Sequence, residues 1–256
     1  MSKLTNLIRR VTRVEPAPMG FGSAARKPSP TMLLVALVGD HWTRTVGDAV
    51  GAGADALLLT GHPSEKELSE AVSAAEGRPC GLLAGQASPE EASQLGKVGL
   101  DFLVLTPETP ASALQSQEVS FLIHLKEELT DIQLRTLDPL PLEAIYLDRD
   151  AAPLTIRRQM ELQRLTGLAR KPLVLSVRPT VDEEDLLCLR DAGVALIALD
   201  LKERDGLDAL RRLRGVIDAL PPRRRPRRDE APEVLLPRAA AGEPAHEEEE
   251  GVVADP

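Results

Sequence analysis

"GADALLLT", residues 53 to 60, is a short aliphatic run that opens on glycine and closes on a hydroxyl, and it recurs along the chain. "GLDFLVLT" (99 to 106), "PLEAIYLD" (141 to 148) and "GVALIALD" (193 to 200) align with it without gaps, at spacings of 46, 42 and 52 residues. Each run has the length and apolar content of a buried strand rather than a helix. A second set of aliphatic runs interleaves with the first: "TMLLVALV" (31 to 38), "CGLLAG" (80 to 85), "VSFLIHLK" (119 to 126) and "LVLSVR" (173 to 178). The repeating unit is therefore two strand–helix pairs, and the chain counts eight strands.

The segments between the runs carry helix-start chemistry. Ser64 with Glu67, Ser88 with Glu91, Thr130 with Gln133 and Thr180 with Glu183 each pair a hydroxyl with a carboxylate or amide three residues on, so that each satisfies the other's free backbone N–H. Gly53, Gly99 and Gly193 stand where the preceding helices end, as a left-handed closing residue requires. Hydrophobic residues make up 43% of the chain but aromatics only 2%, so the core is aliphatic, which suits parallel strands covered on both faces by helices.

An eightfold βα alternation resembles the TIM barrel, over roughly residues 31 to 221. A doubly wound open sheet uses the same local pattern, but the count of eight and the quarter repeat favour closure. The expected organisation is α/β: an N-terminal amphipathic basic helix and Pro/Gly linker over 1 to 30, a (β/α)8 barrel over 31 to 221, and a disordered charged tail over 222 to 256. The tail follows from "PPRRRPRRDE" and a closing acidic stretch with too little apolar content to fold.

Successive strand side chains point to opposite faces, so one parity meets the helices and the other the barrel axis. Odd positions are almost purely aliphatic, Leu33, Val35 and Leu37 on the first strand among them, and are expected to face the helices. Even positions turn polar at the strand ends: Asp40, Thr60, His62, Gln86, Thr106, Glu108, His124, Lys126, Tyr146, Asp148, Asp150, Ser176, Arg178, Asp200 and Lys202 are expected to converge on the C-terminal rim, where active sites of this fold are built.

Lys126, Asp148, Asp200 and His124 are the candidate catalytic residues, and Arg178, Lys202, Asp40, Thr106 and Gln86 the candidate substrate-binding ones. A lysine inside a barrel can form a Schiff base, but Asp148 on the next strand is expected to hold Lys126 charged, which suits proton transfer or anion binding better. Barrel aldolases of the Schiff-base type keep their lysine on the sixth strand, where this chain has Asp148. His124 and Asp200 resemble the fifth- and eighth-strand ligands of metal-dependent barrel hydrolases, but the paired histidines of the first strand are replaced by Gly39 and Asp40.

The reading is of an enzyme without cofactor. The alternatives are magnesium, held by carboxylates such as Asp148, Glu108 and Asp200, and FMN, because "PAPMGFG" (16 to 22) resembles the opening of flavin-binding barrels such as nitronate monooxygenases. The loops "RPTVDEED" and "KERDGLD" after the last two strands are acidic and not Gly-rich, which disfavours phosphate and leaves a small carbonyl or carboxylate metabolite. The expected activity is of lyase or isomerase type; the competing reading is a non-catalytic scaffold that acts through its N-terminal helix and tail.

A net charge of −9 argues against nucleic-acid binding. Cys80 and Cys188, far apart in apolar surroundings, suggest neither a disulfide framework nor a zinc site, and a cytoplasmic location is expected. Residues 2 to 14 place Leu4, Leu7, Ile8, Val11 and Val14 on one helical stripe opposite Lys3, Arg9, Arg10 and Arg13. That helix either closes the lower mouth of the barrel or makes a weak, reversible contact with an anionic membrane surface or a protein.

Overall fold

The computed structural model describes residues 2–12, 30–39, 41–148, 154–202 and 205–221. Asp40, the 16–22 segment and the tail from 222 lie outside those residues. The chain divides into two compact units, Met1–Arg223 and Arg224–Pro256, and the first holds every element described here.

The elements run α1 (Lys3–Thr12), β1 (Leu33–Val38), α2 (Trp42–Gly51), β2 (Ala56–Leu59), α3 (Glu65–Ala74), β3 (Cys80–Gly85), α4 (Pro89–Val98) and β4 (Phe102–Leu105). A 3-10 helix (Ala111–Gln115) leads to β5 (Ser120–Leu125), α5 (Asp131–Thr136), β6 (Ala144–Leu147), α6 (Ile156–Ala169), β7 (Leu173–Val177), α7 (Glu183–Asp191), β8 (Val194–Asp200) and α8 (Gly206–Ala219). The strands pair in sequence order, all parallel, and β1 pairs with β8 to close the barrel.

Three of the four expected helix starts form as complete capping boxes, at Ser64, Ser88 and Thr130. The fourth is displaced: Asp182, not Thr180, caps α7, its carboxylate accepting the N–H of Asp185 at 2.8 Å. An aspartate closer to the apolar run supplies the same acceptor as the threonine would. The helix expected between β4 and β5 shrinks to the 3-10 turn, because Pro107 and Pro110 lack N–H donors and bias their predecessors away from helical backbone.

Two apolar layers result. The outer one packs helices on strands through Leu57, Leu59, Leu103, Ile123, Ile145, Leu175 and Ile197, as the odd parity predicts. The inner one fills the barrel with Leu58, Phe102, Val104, Leu122, Tyr146, Val174 and Leu196. On β1 the expectation is reversed: Leu33, Val35 and Leu37 belong to the interior, whereas Met32, Leu34, Ala36 and Val38 meet the helices. A strand buried on both faces is apolar at either parity, so alternation carries no information there. The register Leu37↔Asp200 between β1 and β8 makes the assignment.

The lower mouth is closed by α1. Leu4, Ile8 and Val11 join the interior layer, at 1%, 5% and 6% exposure. Burial of three such side chains contributes about 2 kcal/mol each. Leu7 packs against the same layer, so the described part of the expected stripe is turned to the barrel interior; Arg13 and Val14 lie outside the described residues. Asp101, just before β4, accepts the N–H groups of Lys3 and Leu4 at 2.7 and 2.8 Å, and so stands in for the N-terminal carboxylate that α1 lacks in its own first turn.

Candidate active site at the C-terminal rim

Following the interior parity to the end of each strand divides the upper rim into two halves. The positions on β1 to β4 are Gly39, Thr60, Gly85 and Thr106, all small. Those on β5 to β8 are Lys126, Asp148, Arg178, and Asp200 with Lys202, all charged. One side of the mouth offers room and the other offers chemistry.

Beneath the charged half lies a buried polar cluster. His124, Tyr146 and Ser176 are 4%, 3% and 8% exposed. Nε2 of His124 lies 2.8 Å from Oδ2 of Asp148, whose side chain is 59% exposed. With Asp148 ionised, the imidazole N–H donates this bond, so a buried ring holds a largely exposed carboxylate. The rings of His124 and Tyr146 meet edge to face at 5.0 Å. Burial, with the negative charges of Asp148 and Asp200, pushes the Tyr146 phenol up to about 12 against a hydrogen bond with Ser176 that acts the other way. The phenol is therefore neutral throughout the physiological range.

Among the described residues, the ion pair that Asp148 forms is with His124. Lys126 is exposed and lines a cavity of about 540 Å³ between the ends of β5 and β6 and helix α6, with Asp148, Arg158, Glu161 and Arg164. The walls are braced by Arg158 on Glu161 at 3.2 Å and Arg164 on Asp131 at 2.6 Å. Asp148 is shared between this cavity and the barrel interior.

Asp200 accepts the backbone N–H of Lys202 at 2.9 Å and closes the turn after β8. Arg178 is exposed at the end of β7, and Thr106 is half-buried at the end of β4. Gln86 leaves the ring: on β3, as on β1, the parity is opposite to the one expected, with Cys80 and Leu82 in the outer layer and Leu83 against the interior, so Gln86 follows the outer side and lines a groove there with His62, Leu68, Leu82 and Leu95. Asp40 lies outside the described residues. Strand alternation placed Tyr146 and Ser176 on the rim face but gave them no role, and it took Gly39 only as a missing ligand; the signal for Gly39 was the β1–β8 register, which a two-faced apolar strand hides.

Among the described residues, no group of three or more His, Cys, Asp or Glu is arranged to hold a metal ion, and Asp148, Glu108 and Asp200 are not gathered in one. Nor is any described helix long and apolar enough to cross a membrane.

No protein-family model matches the chain, and no curated protein matches it. Solved structures do. 3-Keto-L-gulonate-6-phosphate decarboxylase from Vibrio cholerae aligns with a TM-score of 0.60 at 13% identity, over 73% of this chain and 97% of that one. This chain has the TIM-barrel fold. KGPDC from Streptococcus mutans aligns over the same shares at 9% identity with a TM-score of 0.59. 3-Hexulose-6-phosphate synthase aligns at 17% identity over 72% of this chain and 99% of that one, with a TM-score of 0.53. At these identities the likeness is one of fold: the barrel is shared, and the rim residues of this chain stand on their own geometry.

Proposed function

We propose that the chain is an enzyme of lyase or isomerase type that acts on a small carbonyl or carboxylate compound at the C-terminal rim. The observation that carries this reading is the 2.8 Å pair of a buried imidazole with a solvent-facing carboxylate, His124 and Asp148, at the mouth of the barrel. Asp148 takes the proton from the carbon beside the substrate carbonyl. His124 fixes the angle of the carboxylate and compensates its charge, so that one oxygen remains directed to the mouth. As the proton leaves, negative charge gathers on the carbonyl oxygen, and Lys126, which lines the same cavity as Asp148, supplies a cation for it. Arg178 and Lys202, at the ends of β7 and β8, hold the anionic end of the same molecule. That solved structures with this fold include decarboxylases and an aldolase agrees with the reaction class.

The test is exchange of substrate carbon-bound protons with solvent. The full chain is incubated in D2O with a panel of short keto acids and ketoses, and deuterium incorporation is followed by NMR. Wild-type protein is expected to label at least one member. Asp148→Asn should slow that labelling by about 10²- to 10⁴-fold, the usual contribution of a positioned base. Labelling by Asp148→Asn at the wild-type rate, or none by the wild type, sinks the proposal and leaves the rim a structural polar layer.

A further inference from the structure

The cavity of about 540 Å³ beside the rim is larger than a compound of only a few carbons needs, and its cause is a mismatch between two neighbouring helices. α5 has 6 residues and α6 has 14. Arg164, in the second half of α6, reaches the start of α5, donating to Asp131 at 2.7 Å and to the carbonyl of Leu129 at 2.8 Å. The first turns of α6 therefore stand beside the loop that follows β5 rather than beside a helix, and the space between them is left open.

The chain's own pairings neutralise much of the charge around this space. Arg158 meets Glu161, Arg164 meets Asp131, and Asp148 meets His124, while Lys126, Glu127 and Glu128 are exposed at the lip. The floor is apolar: Leu125 and Leu147 from the ends of β5 and β6, each 7% exposed, with the half-buried Leu129 and Leu165 from the loop after β5 and from α6. Leu125 and Leu147 belong to the helix-facing layer, so the cavity lies outside the barrel wall. Lys126 and Asp148, one position further on each strand, form its border with the mouth. One molecule can therefore keep a polar end at the mouth and an apolar end against the leucines, where each methylene that replaces water strengthens binding about fourfold.

We propose that this cavity is a chain subsite of the rim: it takes the aliphatic tail of a medium-chain oxo acid whose reacting carbon lies at Asp148. This rests on the reading of the rim as a substrate site and names the class of substrate. It stands on the leucine floor and on Asp148, which the cavity shares with the mouth.

The experiment titrates the full chain, its leucine methyl groups labelled with ¹³C, with pyruvate, 2-oxohexanoate and 2-oxooctanoate, and follows the methyls of Leu125, Leu129, Leu147 and Leu165 by NMR. These shifts are expected to saturate with the longer acids, and 2-oxohexanoate should bind at least about tenfold tighter than pyruvate. Leu129→Gln and Leu165→Gln, which put a polar group on the floor, should each weaken 2-oxooctanoate about tenfold and so shrink its advantage over pyruvate. Melting curves of both variants check the fold, and Leu129→Gln, in a loop, carries the test should Leu165→Gln unfold. Affinity that does not rise with chain length, shifts that spare these leucines, or undiminished 2-oxooctanoate binding in folded Leu129→Gln overturns the proposal. Chain-length-dependent binding that survives in Asp148→Asn while proton exchange fails in every variant leaves the chain subsite standing and sinks the proton-transfer reading alone.

Discussion

Asp101 accepts the backbone N–H of Leu4 at 2.8 Å, which ties the first helix of the chain to the head of β4. The same carboxylate takes the N–H of Lys3, and Ser120 reaches Ser2 through a hydroxyl pair at 3.0 Å. The helix is thus oriented as well as buried, and its apolar stripe has one seat, the open lower end of the barrel. The charged rim and the closed lower end lie at opposite ends of the same strands.

Asp101→Ala should therefore destabilise the protein by about 1 to 2 kcal/mol, the usual range for a lost helix cap. Chemical denaturation measures it. Deleting residues 1 to 12 should do more, and should raise binding of a hydrophobic dye, because Leu33, Phe102 and Leu196 lose the cover of Leu4 and Ile8. A deletion as stable as the full chain would show that the barrel does not need its plug.

Gly81 faces the ring of Phe102 so closely that a Cβ there would lie 2.3 Å from Cε2. Phe102, one of the two aromatic rings in the interior layer, fills the barrel only because β3 carries no side chain at that point. Gly81→Ala should cost about 1 to 3 kcal/mol through overpacking. Phe102→Leu in the same chain should restore part of it, and the double-mutant cycle reads the coupling directly.

Tyr146 is the single tyrosine of the chain, so its titration can be followed by phenolate absorbance without interference from another. Its ionisation is expected near pH 12 rather than near 10, because burial and the charges of Asp148 and Asp200 oppose the phenolate. Above the unfolded value of about 10 the unfolded chain gives up its proton while the folded one keeps it, so stability falls as pH rises from about 10 toward 12. Summed over the window the loss is of order 3 kcal/mol. Tyr146→Phe should flatten that part of the pH–stability curve.

The two cysteines should differ sharply toward a thiol reagent. Cys188 is exposed on α7 and should react at once, whereas Cys80 is buried in β3 with its thiol pushed up to about 12 by burial and by the Asp101 charge. One fast equivalent in the native protein and a second only on unfolding are expected, and two fast equivalents would contradict the burial of β3.

Much of the fold was legible in the chain because it rests on local chemistry. Aliphatic runs at a quarter repeat, glycine closures such as Gly99 with its left-handed backbone, and reciprocal caps such as Ser64 with Glu67 are each set by residues a few positions apart. The polar ends of β5 to β8 were legible for the same reason: alternation along one strand is a local property, and it brought His124, Asp148 and Arg178 to one rim.

What the sequence by itself determined, then, was the number of strands, their order as βα units, and a charged set of strand ends. Tertiary structure alone decided which parity of β1 faces the axis, since a strand covered on both sides is apolar throughout and only pairing with β8 orients it. It also decided the partner of Asp148, because reach across strands, not adjacency in charge, selects His124 over Lys126. The removal of Gln86 from the ring has the same origin: β3 is apolar at both parities, and only its packing places Cys80 and Leu82, and Gln86 with them, on the helix side. The seat of Lys202 over Gly39 joins residues at the two ends of the barrel chain, and only closure brings them within reach.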